Sequence, residues 1–239
     1  MMCEILERGP FVAVAHRGGG CEVAENTIAG IRHGLEAGVD IIEVDVRSSI
    51  DGELVLCHDE DLLRLCGVKK RVDALSIEEL RSLKVFGLEP IATLAEALET
   101  VRGRAGMFIE IKEPATTVKI VEAVQAAKMQ KDVCFISFFE EALQEVKRID
   151  ATLLTGLVYS KPPGKIMEAK DIRADLVLPY YRIATKKAND FAHSLHLRVG
   201  VWSVNRAEEI EKVVENGVDI VASDYITMLM SMKRMRTGD

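Results

Sequence analysis

The stretch DIIEVDV at positions 40–46 sets acidic residues into an apolar run without glycine or proline. In an extended chain successive side chains leave on opposite faces. Glu43 and Asp45 therefore share a face with Ile41, while Ile42, Val44 and Val46 share the other. GMFIEIK at 106–112 repeats the device: Glu110 and Lys112 fall on one face, Met107, Ile109 and Ile111 on the opposite one. Both read as strands whose fully aliphatic face packs against helices and whose other face carries charge toward a strand end.

Working outward, six further apolar runs lie at 11–15, 133–137, 153–159, 175–179, 198–204 and 219–223. Between the runs stand segments such as NTIAGIRHGLEAG, EEALQEVKRI and AEEIEKVVENG, whose apolar residues recur at three- and four-residue spacing. Eight strands, mostly followed by helices, predict an α/β fold, a (β/α)8 TIM barrel spanning 1–239 as a single domain. The interval 51–90 breaks the rhythm, with DG and ELVLC reading as a turn and an added strand, and LSIEELRSL as a helix opened by a capping box. It is a small rim excursion after strand 2, placed where barrel active sites are built, and about 40 residues are too few for a core of their own. Its part from Glu60 to Glu89, following His58, is expected to sit over the mouth, either facing part of the substrate and setting selectivity or merely shielding the barrel end.

Composition narrows the function. A net charge of −7 argues against a nucleic-acid-binding surface, which would need a basic face. Five cysteines without a CxxC pair fit a reduced, cytoplasmic protein. Without a run of about 20 apolar residues or a signal-like start, no stable membrane insertion is expected. The Met-rich MLMSMKRM near the C-terminus suits either a terminal helix on the barrel or a homo-oligomer contact.

The charged strand ends carry the chemistry. Glu43, Asp45 and Glu110 converge on one mouth, and like charges this close need compensation. Either a hard divalent cation supplies it, with oxygen ligands favouring Mg2+ or Ca2+, or ion pairs with Arg17, Arg47 and Lys112 do. His16 and His58 end two apolar runs beside these acids, where imidazole exchanges protons near neutral pH. His33, His193 and His196 sit in helical patterns and read as surface residues. Gly18, Gly19 and Gly20 are expected to open backbone N–H groups to an anion, with Arg17 as a planar clamp for a phosphate; a tight turn alone also accounts for the glycines.

HRG, ENT, EVD, DGELVLCHD, EIK, ISF and WSVN, in this order from about Val12 to Asp224, resemble the glycerophosphodiester phosphodiesterase family. The resemblance implies metal-dependent cleavage of a small-molecule glycerophosphodiester into sn-glycerol 3-phosphate and an alcohol, through a cyclic phosphate. It implies Glu43, Asp45 and Glu110 as ligands of a divalent metal, His16 and His58 as the general acid/base pair, and Arg17 and Lys112 as phosphate contacts. By the same resemblance Trp202 walls the glycerol portion, Glu25 holds residues of the site in place, and Asn26 or Thr27 caps the first helix. Two departures, PIATL with Pro90 two residues early and SDYI for the usual TDYP, touch the rim and none of these residues. A phospholipase-like barrel that takes lysophospholipids or stops at the cyclic phosphate, and a non-catalytic phosphodiester-binding barrel, are the competing readings.

Overall fold

Eight parallel strands form in the eight predicted places. They are β1 (Val12–Ala15), β2 (Ile41–Ser48), β3 (Gly106–Ile111), β4 (Val133–Ser137), β5 (Leu154–Tyr159), β6 (Leu176–Pro179), β7 (Arg198–Val201) and β8 (Ile220–Ser223). Each pairs with its sequence neighbours and β8 pairs with β1, so the sheet closes into a barrel. In this computed structural model the described residues are 2–237; Met1, Gly238 and Asp239, the ends of the expected 1–239 unit, lie outside the described residues. Helices α1 (Ile28–Ala37), α2 (Leu94–Val101), α3 (Thr117–Ala126), α4 (Glu140–Ile149), α5 (Ile166–Asp171), α6 (Lys186–Ser194), α7 (Ala207–Glu215) and α8 (Ile226–Thr237) follow the strands in turn.

The alternation read from DIIEVDV is realised as two concentric cores. Ile42, Val44, Val46, Met107, Ile109 and Ile111 point outward into the layer shared with the helices. Ile41 and Phe108 point inward, where Val12, Val14, Ile136, Val158 and Leu178 fill the barrel. The floor of this inner core is a surprise in MMCEILERGP: a short helix, Met2–Ile5, inserts Met2, Ile5 and Leu6 among the inward residues. Gly106 makes room for it, since a Cβ there would lie 2.9 Å from Met2 Cε. At the other end of the chain α8 buries Ile226, Leu229, Met230 and Met232 in the outer layer, which is the terminal-helix reading of the Met-rich tail. Among the described residues no helix is long and apolar enough to cross a membrane.

The excursion starts as predicted, with Leu54–Leu56 returning antiparallel to β2 and Leu56 beside Val46. The capping box is present at Ser76 and Glu79, opening the helix Ile77–Ser82. The expectation that the segment lacks a core is corrected. Leu62, Leu65, Val72, Leu80 and Val85 form an apolar cluster of their own, closed by Ala24, Val55 and Cys57. So short a segment can do this because its hairpin strand, which carries Val55, is paired to β2, and Ala24 from the loop after β1 closes the cluster. Among the histidines expected at the surface only His196 is exposed. His33 and His193 are half-buried, bonded to Glu22 at 2.7 Å and Asp219 at 2.8 Å, and tie helices to neighbouring loops.

Candidate active site

Strand register assembles the site. β2 and β3 run with Asp45 beside Glu110, and Glu43 lies two residues earlier on the same face. Carboxylate oxygens of the three come within 4.8 Å of one another, all three side chains being buried. Two cations compensate them in part: Lys112 Nζ lies 2.7 Å from Glu110 Oε1 and 3.3 Å from Asp45 Oδ1, and Arg17 Nε lies 3.5 Å from Asp45 Oδ2. Arg47 takes no part in this. It donates to Glu113 Oε1 at 2.8 Å and to the His58 carbonyl from Nε and Nη2 at 3.1 and 3.0 Å, fixing the backbone of that histidine.

Three buried acids facing two cations remain unbalanced, and the protonation of the site shows it. Burial, reinforced by Asp45, pushes Glu43 up to about 8. Burial and Asp45 likewise raise Glu110, against the pull of Lys112. Asp45 is also buried, but Lys112 and Arg17 outweigh that and hold its carboxyl well below the usual range. Two buried polar atoms of the site make no hydrogen bond: Glu43 Oε1, a carboxylate oxygen, and Arg17 Nε, a donor that has Asp45 Oδ2 at 3.5 Å. The carboxylate oxygen fits a hard cation and the guanidinium donor fits an anion, so the donor set suits a divalent metal beside a phosphate.

The register Ala15 beside Ser223 brings out the next residues of β1 and β8 together. His16 Nδ1 donates to Asp224 Oδ1 at 2.6 Å. Burial would raise Asp224, yet His16 and Asn205 outweigh it and hold the acid at about 2, so it accepts and the imidazole donates. For His16, burial lowers the pKa while the bond to Asp224 and the charge of Glu43 raise it, and the net shift is upward. Asn205 completes the array by donating to Asp224 Oδ2 at 2.6 Å and accepting from the Asp224 N–H at 3.0 Å. The residue types alone gave Asp224 and Asn205 no role. Their signal lies in WSVN and SDYI, at the ends of β7 and β8.

His58 arrives by a different route. The antiparallel return of 54–56 lets Cys57 N donate to the Asp45 carbonyl at 3.0 Å, which carries His58 back over the acids. Its Nδ1 donates to Asp59 Oδ1 at 2.8 Å. Burial lowers the His58 pKa, Lys112 and Arg17 add to that, and Asp45 offsets only part. Both histidines, with Arg17, Glu43, Glu110 and Trp202, line one cavity at the barrel mouth, whose deeper wall is apolar.

The sequence profile described as the Glycerophosphoryl diester phosphodiesterase family matches residues 16–228. The chain belongs to that family. Membership makes it a phosphodiesterase of glycerophosphodiesters. It is similar to a glycerophosphodiester phosphodiesterase of Caldanaerobacter subterraneus subsp. tengcongensis, at 29% identity over 93% of this chain and 98% of the relative. The solved glycerophosphodiester phosphodiesterase of Thermotoga maritima superposes with a TM-score of 0.79 at 26% identity, covering 93% of this chain and 98% of that one. A solved chain from Silicibacter pomeroyi DSS-3 gives 0.88 at 24% identity over 96% and 95% of the two chains, a likeness of fold.

The remaining expected residues of this phosphodiesterase are placed as follows. Glu25 is buried and accepts from Arg17 Nη1 at 3.0 Å. Asn26 grips Asp45 twice, donating from Nδ2 to Oδ2 at 2.8 Å and accepting from the backbone N–H at 3.0 Å. Thr27, and not Asn26, caps α1, accepting from Gly30 N at 3.1 Å. Trp202 donates from Nε1 to the Leu178 carbonyl at 2.8 Å and meets Phe138 edge to face at 5.6 Å, so it stands as a half-buried wall of the cavity. The glycine run departs from the anion-cradle expectation. Gly19 N and Gly20 N both donate to the His16 carbonyl, at 2.9 and 3.2 Å, and are spent on the turn. Gly18 has φ +76°, and a Cβ there would meet the backbone of Gly30 and Ile31 at 3.0 Å, so close approach of the loop to α1 requires it. Among the described residues none from 60–89 lines the cavity.

Proposed function

We propose that the chain hydrolyses glycerophosphodiesters to sn-glycerol 3-phosphate and an alcohol, with His16 and His58 as its two proton carriers. Glu43, Asp45 and Glu110 hold a divalent cation, Mg2+ or Ca2+. Arg17 and Lys112 contact the phosphate, Trp202 walls the glycerol portion, and Glu25 and Asn26 hold Arg17 and Asp45 in place. The observation that carries this reading is that Glu43 and Arg17, each with a buried polar atom that makes no hydrogen bond, line one cavity with two histidines that each lean on a carboxylate. Non-catalytic binding of a phosphodiester has no use for two oriented proton carriers.

One histidine takes the proton of the glycerol 2-hydroxyl, whose oxygen attacks phosphorus, and the other gives a proton to the departing alkoxide. Water then opens the five-membered cyclic phosphate with the two roles exchanged, returning both imidazoles to their starting states. Arg17, a lining residue of the cavity, offers its guanidinium to the phosphoryl oxygens. Lys112, which burial would neutralise but Asp45 and Glu110 keep charged, adds a second cation. A bound divalent ion supplies further charge stabilisation at the phosphoryl group. A reducing, cytoplasmic setting fits five cysteines with no CxxC pair among them.

The test is release of sn-glycerol 3-phosphate from glycerophosphocholine and glycerophosphoethanolamine with Mg2+, Ca2+ or chelator. Turnover with at least one cation and none in chelator is expected. Accumulation of cyclic phosphate as final product would reassign the chain to the cyclising, phospholipase-like reading. Tight binding without turnover would leave only a binding barrel.

A further inference from the structure

We propose that Arg64, on the excursion and outside the cavity, is a positioning residue that sets His58 and Arg17 relative to one another. It belongs to the one-turn helix Leu63–Cys66. Its guanidinium spans two loops of different origin. Nε donates to Asp59 Oδ2 at 2.7 Å, while Nη1 and Nη2 donate to Glu25 Oε2 and Oε1 at 2.7 and 2.8 Å. The other oxygen of Asp59 receives His58 Nδ1, and Glu25 Oε1 also receives Arg17 Nη1. His58, Asp59, Arg64, Glu25 and Arg17 thus form one unbroken chain of charged hydrogen bonds from a proton carrier to a phosphate clamp.

Among the described residues Arg64 is the only cation besides His58 that pairs with Asp59. The planar fork matters, because three donors in fixed directions reach two carboxylates at once and a lysine ammonium is a single point. The excursion core explains how the fork is aimed: Leu65, next in the chain, is buried there with Leu62 and Val72. The excursion then serves catalysis by holding the groups that hold the site.

The proposal rests on the functional reading above, so wild-type turnover of glycerophosphocholine is measured alongside every variant. Arg64→Ala is expected to lose about 10–100-fold in kcat, the range for removing a partner that orients a site residue. The cation-induced shift in Tm should be kept, since none of the three acids touches Arg64. The Arg64 side chain is 45% exposed, so the vacated place is open to solvent. Added guanidinium ion should restore part of the kcat of Arg64→Ala, and sodium at equal ionic strength should not. Arg64→Lys, which keeps charge and stem, is expected to fold and to remain at least about tenfold slow. Wild-type rates in either folded variant overturn the proposal, as does a loss in Arg64→Ala that guanidinium leaves untouched. If Arg64→Ala does not fold, Arg64→Lys decides alone. An inactive wild type overturns the functional reading first and this proposal with it.

Discussion

His16 and His58 carry the same side chain in opposed settings. His16 is raised because Asp224 and Glu43 outweigh its burial, and His58 is lowered because burial, Lys112 and Arg17 outweigh Asp45. His16→Ala and His58→Ala are each expected to lower kcat by at least about 100-fold while a phosphodiester still binds, as measured by steady-state kinetics and equilibrium binding. If both variants bind poorly and turn over normally when saturated, the histidines are binding groups. The His16–Asp224 pair also has a stability signature in the metal-free protein. Asp224 sits at about 2 against an ordinary 3.8, so its contribution is complete above 3.8 and disappears as pH falls through about 2. His16 is raised above 6.5, so its contribution is complete below 6.5 and disappears as pH rises through the raised value. The stability of wild type minus that of Asp224→Asn, from denaturant unfolding in chelator, should therefore be a bell, highest between 3.8 and 6.5. Its height should be about 2 kcal/mol. A flat difference across pH 2–8 would remove the charged pair from the account.

Elements place these residues through register, and register decides what can be read in advance. The period of two in DIIEVDV and GMFIEIK put Glu43, Asp45 and Glu110 on inward faces, and the cavity holds Glu43 and Glu110 with Asp45 beside them. His16 and His58 could be found because each terminates an apolar run. Asp224 and Asn205 could not be assigned from residue type, since their roles depend on β8 closing against β1, a contact 208 residues apart in sequence. Arg64 was hidden for the same reason: its partners belong to two loops, and an isolated arginine in RLCGVKKR carries no periodic signal. The floor helix Met2–Ile5 was invisible because four residues are too short for a helical pattern. Its importance is nonetheless testable. Ile5 is 2% exposed inside the inner core, and Ile5→Ala should cost about 2–5 kcal/mol in chemical denaturation. The site, at the far end of the barrel, should keep its KM. A cost below about 0.5 kcal/mol would mean that the helix merely rests against the barrel.

At the scale of the whole molecule, the two concentric cores carry stability while the mouth of the barrel carries a local excess of negative charge. Glu43 concentrates that conflict, buried beside Asp45 with one oxygen unpartnered and its pKa moved from 4.5 to about 8. A carboxyl whose folded pKa is raised stabilises the fold fully below its unfolded value and loses that contribution as pH rises through the folded one. In chelator the wild-type barrel should therefore lose stability between pH 4.5 and 8 and then level off. Glu43→Gln removes the titrating group and keeps the shape, so it should lack this decline and become the more stable protein at pH 8. A saturating divalent cation should reverse the order, because the ionised wild-type site gains a ligand-bound state that binds only the folded protein, and the glutamine variant gains much less. Scanning Tm against pH for both proteins, with chelator and with Mg2+ or Ca2+, reads the crossing directly. Parallel curves that never cross would show that the three acids are balanced by Arg17 and Lys112 alone, and the assignment of a cation to Glu43, Asp45 and Glu110 would have to be withdrawn.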